Sequence, residues 1–189
     1  VEAGALTRPS VEHYGFLDAA EAGRVHTSGV DIPTFSDSIV IARQPHVLYD
    51  LVSDVTRMSE WSPVCKECWW EEDGGPHVGA WFVGRNEFPD RSGDTRSQWE
   101  SRSEVTVANR GREFAYVVAG SWMRFSYSFA SALGGTRVTE TWRFLPRGLV
   151  SFHERFGDDA DVQIAKRAEA AHQGIQGTLA AIKQLAEAE

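Results

Sequence analysis

Two cysteines in a chain of 189 residues are too few for a disulfide framework. A chain of this length buries about 70% of its extended surface on folding and needs no covalent staple. A reducing, cytoplasmic setting is the expectation. Long apolar runs are also missing. The stretch Phe114 to Ala119 is among the longest and is strand-sized, so no membrane span is expected. Val1 to Pro9 carry neither the charged start nor the apolar core of a signal peptide. Basic charge is short: 19 Lys and Arg face 27 Asp and Glu, a formal net charge of −8. That balance argues against nucleic acid bound through a broad basic face, and against anionic membrane surfaces.

Sites with a recognisable chemistry of their own are equally scarce. There is no second CxxC, no HxxxH, no nucleophile elbow, no phosphate-cradling glycine loop and no triad order, so neither metal nor cofactor is expected. Cys65-Lys66-Glu67-Cys68 has CxxC spacing, but it opens a strand, where residues three apart point to opposite faces. Its spacing reads as coincidence. His46, His77, His153 and His172 show no ligand spacing, and His172, at the border of a helical apolar stripe, reads as facing water.

What is present is ordinary globular texture, 42% hydrophobic and 24% charged. Residues 1–34 read as an N-terminal extension, partly ordered or mobile, with a short helix over Leu17–Arg24; residues 35–189 read as one domain. Ser38–Ala42 is a strand. Pro45 opens a helix whose apolar face carries Val47, Leu48, Leu51 and Val52. Ser53 or Asp54 caps a second short helix ending near Trp61. Six strands follow, Cys65–Glu72, Val78–Glu87, Ser97–Ala108, Glu113–Val118, Trp122–Ser131 and Thr136–Leu145, separated by turns that force antiparallel neighbours. Leu149–Phe156 makes a helical turn or two. Ala160–Ala186 is a helix of roughly 40 Å with an apolar stripe of Ile164, Ala168, Ala171, Ile175, Leu179, Ile182 and Ala186.

Alternation along the strands separates an aromatic face from a charged one. Trp99, Ser101, Ser103, Val105 and Val107 share one face, as do Phe114, Tyr116 and Val118, then Phe125, Tyr127 and Phe129, then Val138, Glu140, Trp142 and Phe144. Phe82, Gly84 and Asn86 lie together in the earlier strand, although both of its faces carry an aromatic. The space between this face and the long helix is either hollow or filled. Polar groups among the aromatics (Asn86, Ser101, Ser103, Tyr116, Tyr127, Glu140) favour a hollow, because each costs a few kcal/mol to bury unbonded. Gly174 and Gly177 in the long helix signal either room for a guest or close packing.

The order of elements, with Pro45–Asp54 (PHVLYDLVSD), Trp61-Ser62-Pro63, Gly79–Asn86 (GAWFVGRN), Trp99, Arg112–Tyr116, Gly135–Thr139 and Gly177-Thr178-Leu179, resembles the polyketide cyclase/dehydrase branch of the START/polyketide cyclase (SRPBCC) superfamily over about residues 36–187. The resemblance implies an α+β helix-grip fold: a seven-stranded curved antiparallel sheet wrapped around the long C-terminal helix, with two short helices after the first strand. It also implies a cavity for a hydrophobic, partly oxygenated small molecule (lipid, polyketide or polycyclic). The expected lining is Trp61, Phe82, Asn86, Trp99, Phe114, Tyr116, Phe125, Tyr127, Glu140, Trp142, Ile175 and Leu179. Three readings stay open. The chain is a binding protein, or a cyclase/dehydrase-type enzyme with Glu140 and Tyr116 moving protons, or an interaction protein with a filled core. As monomer or homodimer it has that small molecule, and no nucleic acid, as its expected partner.

Overall fold

A computed structural model of the chain describes residues 24–27, 30–72, 74–87, 98–120 and 122–188. The strands are β1 (Arg24–Thr27), β2 (Val30–Ile41), β3 (Cys65–Trp70), β4 (Trp81–Glu87), β5 (Gln98–Asn109), β6 (Glu113–Val118), β7 (Met123–Ala132) and β8 (Gly135–Phe144). Helices α1 (Pro45–Ser53), α2 (Pro146–Phe156) and α3 (Ala160–Ala188) complete the fold, with a 3-10 helix at Val55–Glu60. Strands β3 to β8 pair in sequence as a meander, β2 returns beside β8, and every pairing is antiparallel. This is the seven-stranded α+β arrangement with a long C-terminal helix that the sequence implied. The short strand β1 adds to it as a hairpin on the outer part of β2.

The first strand of the meander's frame begins at Val30, well before Ser38. Its early part has weak strand propensity of its own; pairing with β1 over Val30–Pro33, and with β8 from Thr34 against Arg143 onward, supplies what propensity does not. The loop 88–97 and the readings made on residues 1–23 lie outside the described residues. Helix α2 starts at Pro146 rather than Leu149 and runs through Gly148. A Cβ at Gly148 would stand 2.1 Å from the Trp122 carbonyl oxygen, so only glycine lets this turn seat against the chain.

Two β-bulges correct the face assignments. In β5 the register slips between Val105 and Val107, so Val105 lies opposite Tyr116, Val107 opposite Ala115 and Ala108 opposite Phe114. Val107 therefore leaves the aromatic face and Ala108 takes its place, because one extra residue inverts the alternation beyond it. In β3 the slip falls between Cys65 and Glu67. It brings Cys65 and Cys68, both buried, to the same face, contrary to the opposite orientation that regular alternation requires.

The convex face is charged and ion-paired. Arg102 forks onto Glu71 with two bonds of 2.7 Å and lies 3.9 Å from the Trp81 ring centroid. Arg85 reaches Glu67 at 2.6 Å. On the concave face α3 buries Ile164, Ile175, Leu179, Ile182 and Ala186, the stripe expected from its spacing. The two helix glycines say nothing about the interior. A Cβ on Gly177 would meet nothing within 4 Å, and one on Gly174 would meet only the Pro63 ring, at 3.8 Å. Both therefore sit away from the sheet, which removes them as evidence for a hollow.

Gly177→Ala is accordingly expected to stabilise the protein by about 1 kcal/mol, the helix-interior preference for alanine. Gly135→Ala is expected to destabilise it by more than that: φ there is +145° and the new Cβ would lie 2.0 Å from the Ile41 carbonyl oxygen. Urea unfolding of both variants checks the pair. A destabilised Gly177→Ala would mean that this side of α3 is covered rather than open.

Candidate functional site

The centre of the concave face is set by three adjacent strands. Glu140 on β8 stands opposite Tyr127 on β7, and Phe125 on β7 stands opposite Tyr116 on β6. Glu140 is only 3% exposed. Its Oε1 accepts a hydrogen bond of 3.0 Å from the Tyr127 hydroxyl. Its Oε2 has no partner, and it is the only buried side-chain nitrogen or oxygen among the described residues of which that is true. Leaving such a group unsatisfied costs about 1–3 kcal/mol.

Electrostatics follow from the burial. Removal from water disfavours the carboxylate and pushes the Glu140 pKa up to about 8, with the Tyr127 hydrogen bond pulling the other way. At pH 7 the group is mostly a neutral acid, able to donate through its O–H and accept through its carbonyl oxygen. Tyr116 and Tyr127 are held well above the usual phenol range, first by burial and then by the charge Glu140 would carry. Neither is a phenolate at physiological pH.

Aromatic rings close around this group. Tyr116 stacks on Phe125 at 5.3 Å between centroids, meets Phe82 edge-on at 5.0 Å and lies 6.1 Å from Phe114. Trp142, also buried, meets Phe144 at 5.3 Å. Ile175, Thr178 and Leu179 of α3 are buried on the facing side. Phe82, Phe114, Tyr116, Phe125, Tyr127 and Glu140 are therefore one cluster. Asn86 is elsewhere. It sits four residues along β4 from Phe82, roughly 13 Å at 3.3 Å per residue, and stands opposite Trp99. Its amide nitrogen donates to the Gly84 carbonyl (2.9 Å) and to Ser101 Oγ (3.0 Å), so two polar groups expected to face a ligand satisfy each other. Trp61 is buried in the core at the end of the 3-10 helix.

The sequence reading missed the β2 side of the site. Phe35 and Asp37 share the concave face, opposite Trp142 and Glu140 respectively. Period-two alternation back from Ile41 and Ile39 would have reached them had the strand been started earlier. Phe35 stacks on Trp142 at 5.8 Å and on His172 of α3 at 5.0 Å. His172 therefore combines an exposed edge with a ring contact. A cavity of about 180 Å³ opens at this β2–α3 seam, lined by Thr34, Phe35, Asp37, His172, Ile175 and Gln176 among others. A second, of about 330 Å³, lies between Glu60 and the C-terminal turns of α3, beside Ala181 and Leu185. Neither is lined by Glu140. Aromatic rings surround the acid, and the seam cavity is lined by Phe35 and Asp37, which stand opposite Trp142 and Glu140 on β8.

Comparison with known proteins agrees with this architecture. The family described as "Polyketide cyclase / dehydrase and lipid transport" matches residues 33–187. The solution NMR structure of the Polyketide_cyc-like protein Cgl2372 from Corynebacterium glutamicum is 48% identical, over 82% of this chain and 91% of that one, with a TM-score of 0.58. The di-domain ARO/CYC StfQ from the steffimycin biosynthetic pathway is 16% identical, over 83% of this chain and 51% of that one, with a TM-score of 0.59. Protein CV1439 from Chromobacterium violaceum is 17% identical, over 80% and 96%, with a TM-score of 0.55. The last two likenesses concern the fold. Among curated proteins, no relative matches.

The raised Glu140 pKa carries a sign. The folded state holds a proton that the unfolded chain, at the ordinary carboxyl value of 4.5, releases, so stability is fully present below about pH 4.5 and falls as pH rises toward about 8. Glu140→Gln cannot ionise. Its stability relative to the parent is expected to grow by about 1 kcal/mol per pH unit across that window and then level off. Urea titrations at several pH values from 5 to 9 check this; parallel stability curves for the two proteins would show that Glu140 does not titrate upward.

Proposed function

The chain belongs to the polyketide cyclase/dehydrase and lipid transport family, and we propose that it binds a hydrophobic, partly oxygenated small molecule on the concave side of its sheet, anchored by Glu140. The observation that carries the reading is the orphaned Oε2 of a carboxyl buried among aromatic rings. A core selected only for packing has no use for a group that costs stability twice, once by desolvation and once by a missing partner. A ligand carbonyl or hydroxyl supplies that partner, and the neutral acid can serve either one. Phe82, Phe114, Phe125 and Trp142 supply apolar contact area, worth about 25 cal/mol per Å² buried. The cavity at the β2–α3 seam gives the approach. Phe35 and Asp37 of its lining stand opposite Trp142 and Glu140, and displacing the Phe35 ring from Trp142 would enlarge it toward the few hundred Å³ that drug-sized ligands occupy.

A second reading has its own support. An acid whose pKa lies near 8, hydrogen-bonded to a tyrosine, is suited to pass protons at neutral pH. The family's cyclase/dehydrase description fits a folded polyketide as substrate, with Glu140 as acid/base, Tyr116 beside it and proximity of the reacting carbons supplying much of the acceleration.

One set of measurements separates these. Displacement of a hydrophobic fluorescent dye by a panel of lipids, polyphenols and aromatic polyketides identifies binders. For an oxygenated binder, Glu140→Leu is expected to weaken affinity roughly tenfold, the loss of one buried hydrogen bond, and to leave a hydrocarbon analogue of the same shape unaffected. Equal loss for both would remove Glu140 as the anchor. Turnover of a poly-β-ketone that is lost in Glu140→Gln favours the enzyme reading, and unchanged turnover removes Glu140 from catalysis. No binder anywhere in the panel would return the interior to a packed core.

A further inference from the structure

Positive charge stays on the outside of this fold. Among the described residues, Glu140 is the only Asp, Glu, Lys or Arg that is buried. The strand arginines stand on the convex face: Arg85 and Arg102 pair with Glu67 and Glu71, Arg124 pairs with Glu113, and Arg137 reaches the Ser38 hydroxyl. On α3, Arg167 donates to Gln163 at 2.8 Å and lies 5.9 Å from the Phe152 ring centroid. Lys183 is held by the Val40 carbonyl and Glu187. The concave side therefore offers an acid and no cation to pair with one.

The cavity at the β2–α3 seam repeats that imbalance. Its lining includes the carboxylate of Asp37, the His172 ring and the Gln176 amide, and neither lysine nor arginine. Asp37 is exposed and stands opposite Glu140 on the β2–β8 pair. Its Oδ1 accepts from the Ser38 amide at 2.7 Å. Its Oδ2 and the Gln176 side chain have no hydrogen-bond partner among the described residues. A carboxylate only accepts hydrogen bonds, so what Asp37 lacks is a donor. Phe35 and Ile175 give the same cavity an apolar side, and Phe35 stacks on Trp142 of the aromatic cluster. A volume of about 180 Å³ suits one end of a guest and not the whole of it, since drug-sized ligands occupy about 300 Å³ or more.

Resting on the ligand site proposed above, we infer that this seam is its polar-end subsite, taking an amine or hydroxyl group beside Asp37 and rejecting carboxylate and phosphate. The guest is then a neutral or cationic amphiphile, not a fatty acid. An ammonium or a hydroxyl donates to the open Asp37 oxygen, and Gln176 and His172 can serve the remaining needs of a hydroxyl. An anionic end meets Asp37 as a like charge. Drawn further in, it meets a second acid, and no buried cation takes up its lone pairs. Burying such a group unpaired is the costliest of the three cases.

Decanol, decylamine and decanoate share a chain and differ in the end group; at neutral pH they are uncharged, cationic and anionic. Each is titrated, below its aggregation concentration, against the intact chain carrying a hydrophobic fluorescent dye. Decanoate is expected to bind roughly tenfold more weakly than decanol, or worse, and decylamine at least as tightly as decanol. Asp37→Asn is expected to weaken decylamine roughly threefold, the loss of one exposed charge pair, and decanol by less. Asp37→Lys is expected to reverse the order, decanoate over decylamine. Asp158→Lys changes the net charge by the same amount on the exposed turn before α3, roughly 20 Å from His172 at 1.5 Å per residue. It is expected to keep the parent's order, which separates the seam from the general field of an acidic chain. Decanoate binding the unaltered protein as tightly as decanol would overturn the charge selection. An order that Asp37→Lys leaves intact, or that Asp158→Lys also reverses, would overturn the seam as the place where it is made. Each of those results leaves the ligand site itself standing. Displacement by none of the three, nor by any member of the wider panel, removes the ligand site and this subsite with it.

Discussion

A carboxyl group placed among phenyl rings has two ways to lower its energy: it keeps its proton, or it finds a donor. Glu140 does both in part. Burial holds the proton, Tyr127 bonds one oxygen, and the second oxygen is left without a partner. The rest of the concave face is organised around that group. The tyrosines beside it are held neutral first by their own burial and then by the charge it would carry, and the aromatic rings that exclude water from it are what make its proton hard to remove. Were Glu140 apolar, the face would be an ordinary core, and the family's architecture would imply nothing particular about this chain's interior.

The helix that closes the face is held unevenly. Toward its C-terminal end, Lys183 donates to the Val40 carbonyl at 2.8 Å, and Glu187 accepts from the Ala42 amide at 3.0 Å while also pairing with Lys183 at 2.7 Å. Those bonds clamp α3 to the end of β2. At the level of His172 the same two elements meet through a ring stack over a cavity. Stacked rings slide at low cost, whereas a lysine and a carboxylate bonded to backbone groups do not leave cheaply. The seam therefore has a fixed end and a yielding end, and the yielding end is the one adjacent to Phe35, Trp142 and the strand pair that carries Glu140.

Much of this was legible in the residues because strands and helices keep fixed periods. The six-strand meander, the α3 stripe and the placing of Tyr116, Tyr127 and Glu140 on one face all follow from alternation counted between turn signals. What failed did so where the period breaks without a mark. Lys66 and Thr106 are the extra residues of two bulges, and neither is a glycine or stands beside one. The count therefore ran straight through them and placed Val107 inward and the two cysteines apart. The early half of β2 was hidden for another reason: Val30–Pro33 are strand through pairing with β1, and from Thr34 the partner is β8, more than a hundred residues away in the chain, where local propensity has no reach. Gly174 and Gly177 misled because a glycine in a helix shows its position only once the helix is packed. Asn86 was rightly placed on the inner face, yet its nearest use, the Ser101 hydroxyl across the β4–β5 pair, requires the register as well as the face.

The two unusual features of the interior, the acid and the pair of buried cysteines, differ in how the backbone sets them. Desolvation alone raises the pKa of any acid, thiol or carboxyl. For Glu140 nothing nearby outweighs it, and the group becomes a neutral donor and acceptor waiting for a polar partner. For the cysteines the bulge puts a second buried thiol on the same face, and Cys65 donates its own to the Glu67 carbonyl oxygen. A regular β3 would have left one thiol inside and one outside, each with the properties of an isolated cysteine. One inserted residue thus changes the chemistry of the wall without changing its composition. That is why the spacing of the motif alone misreads it: CxxC is a statement about sequence distance, and reactivity depends on which face the backbone gives to each sulfur.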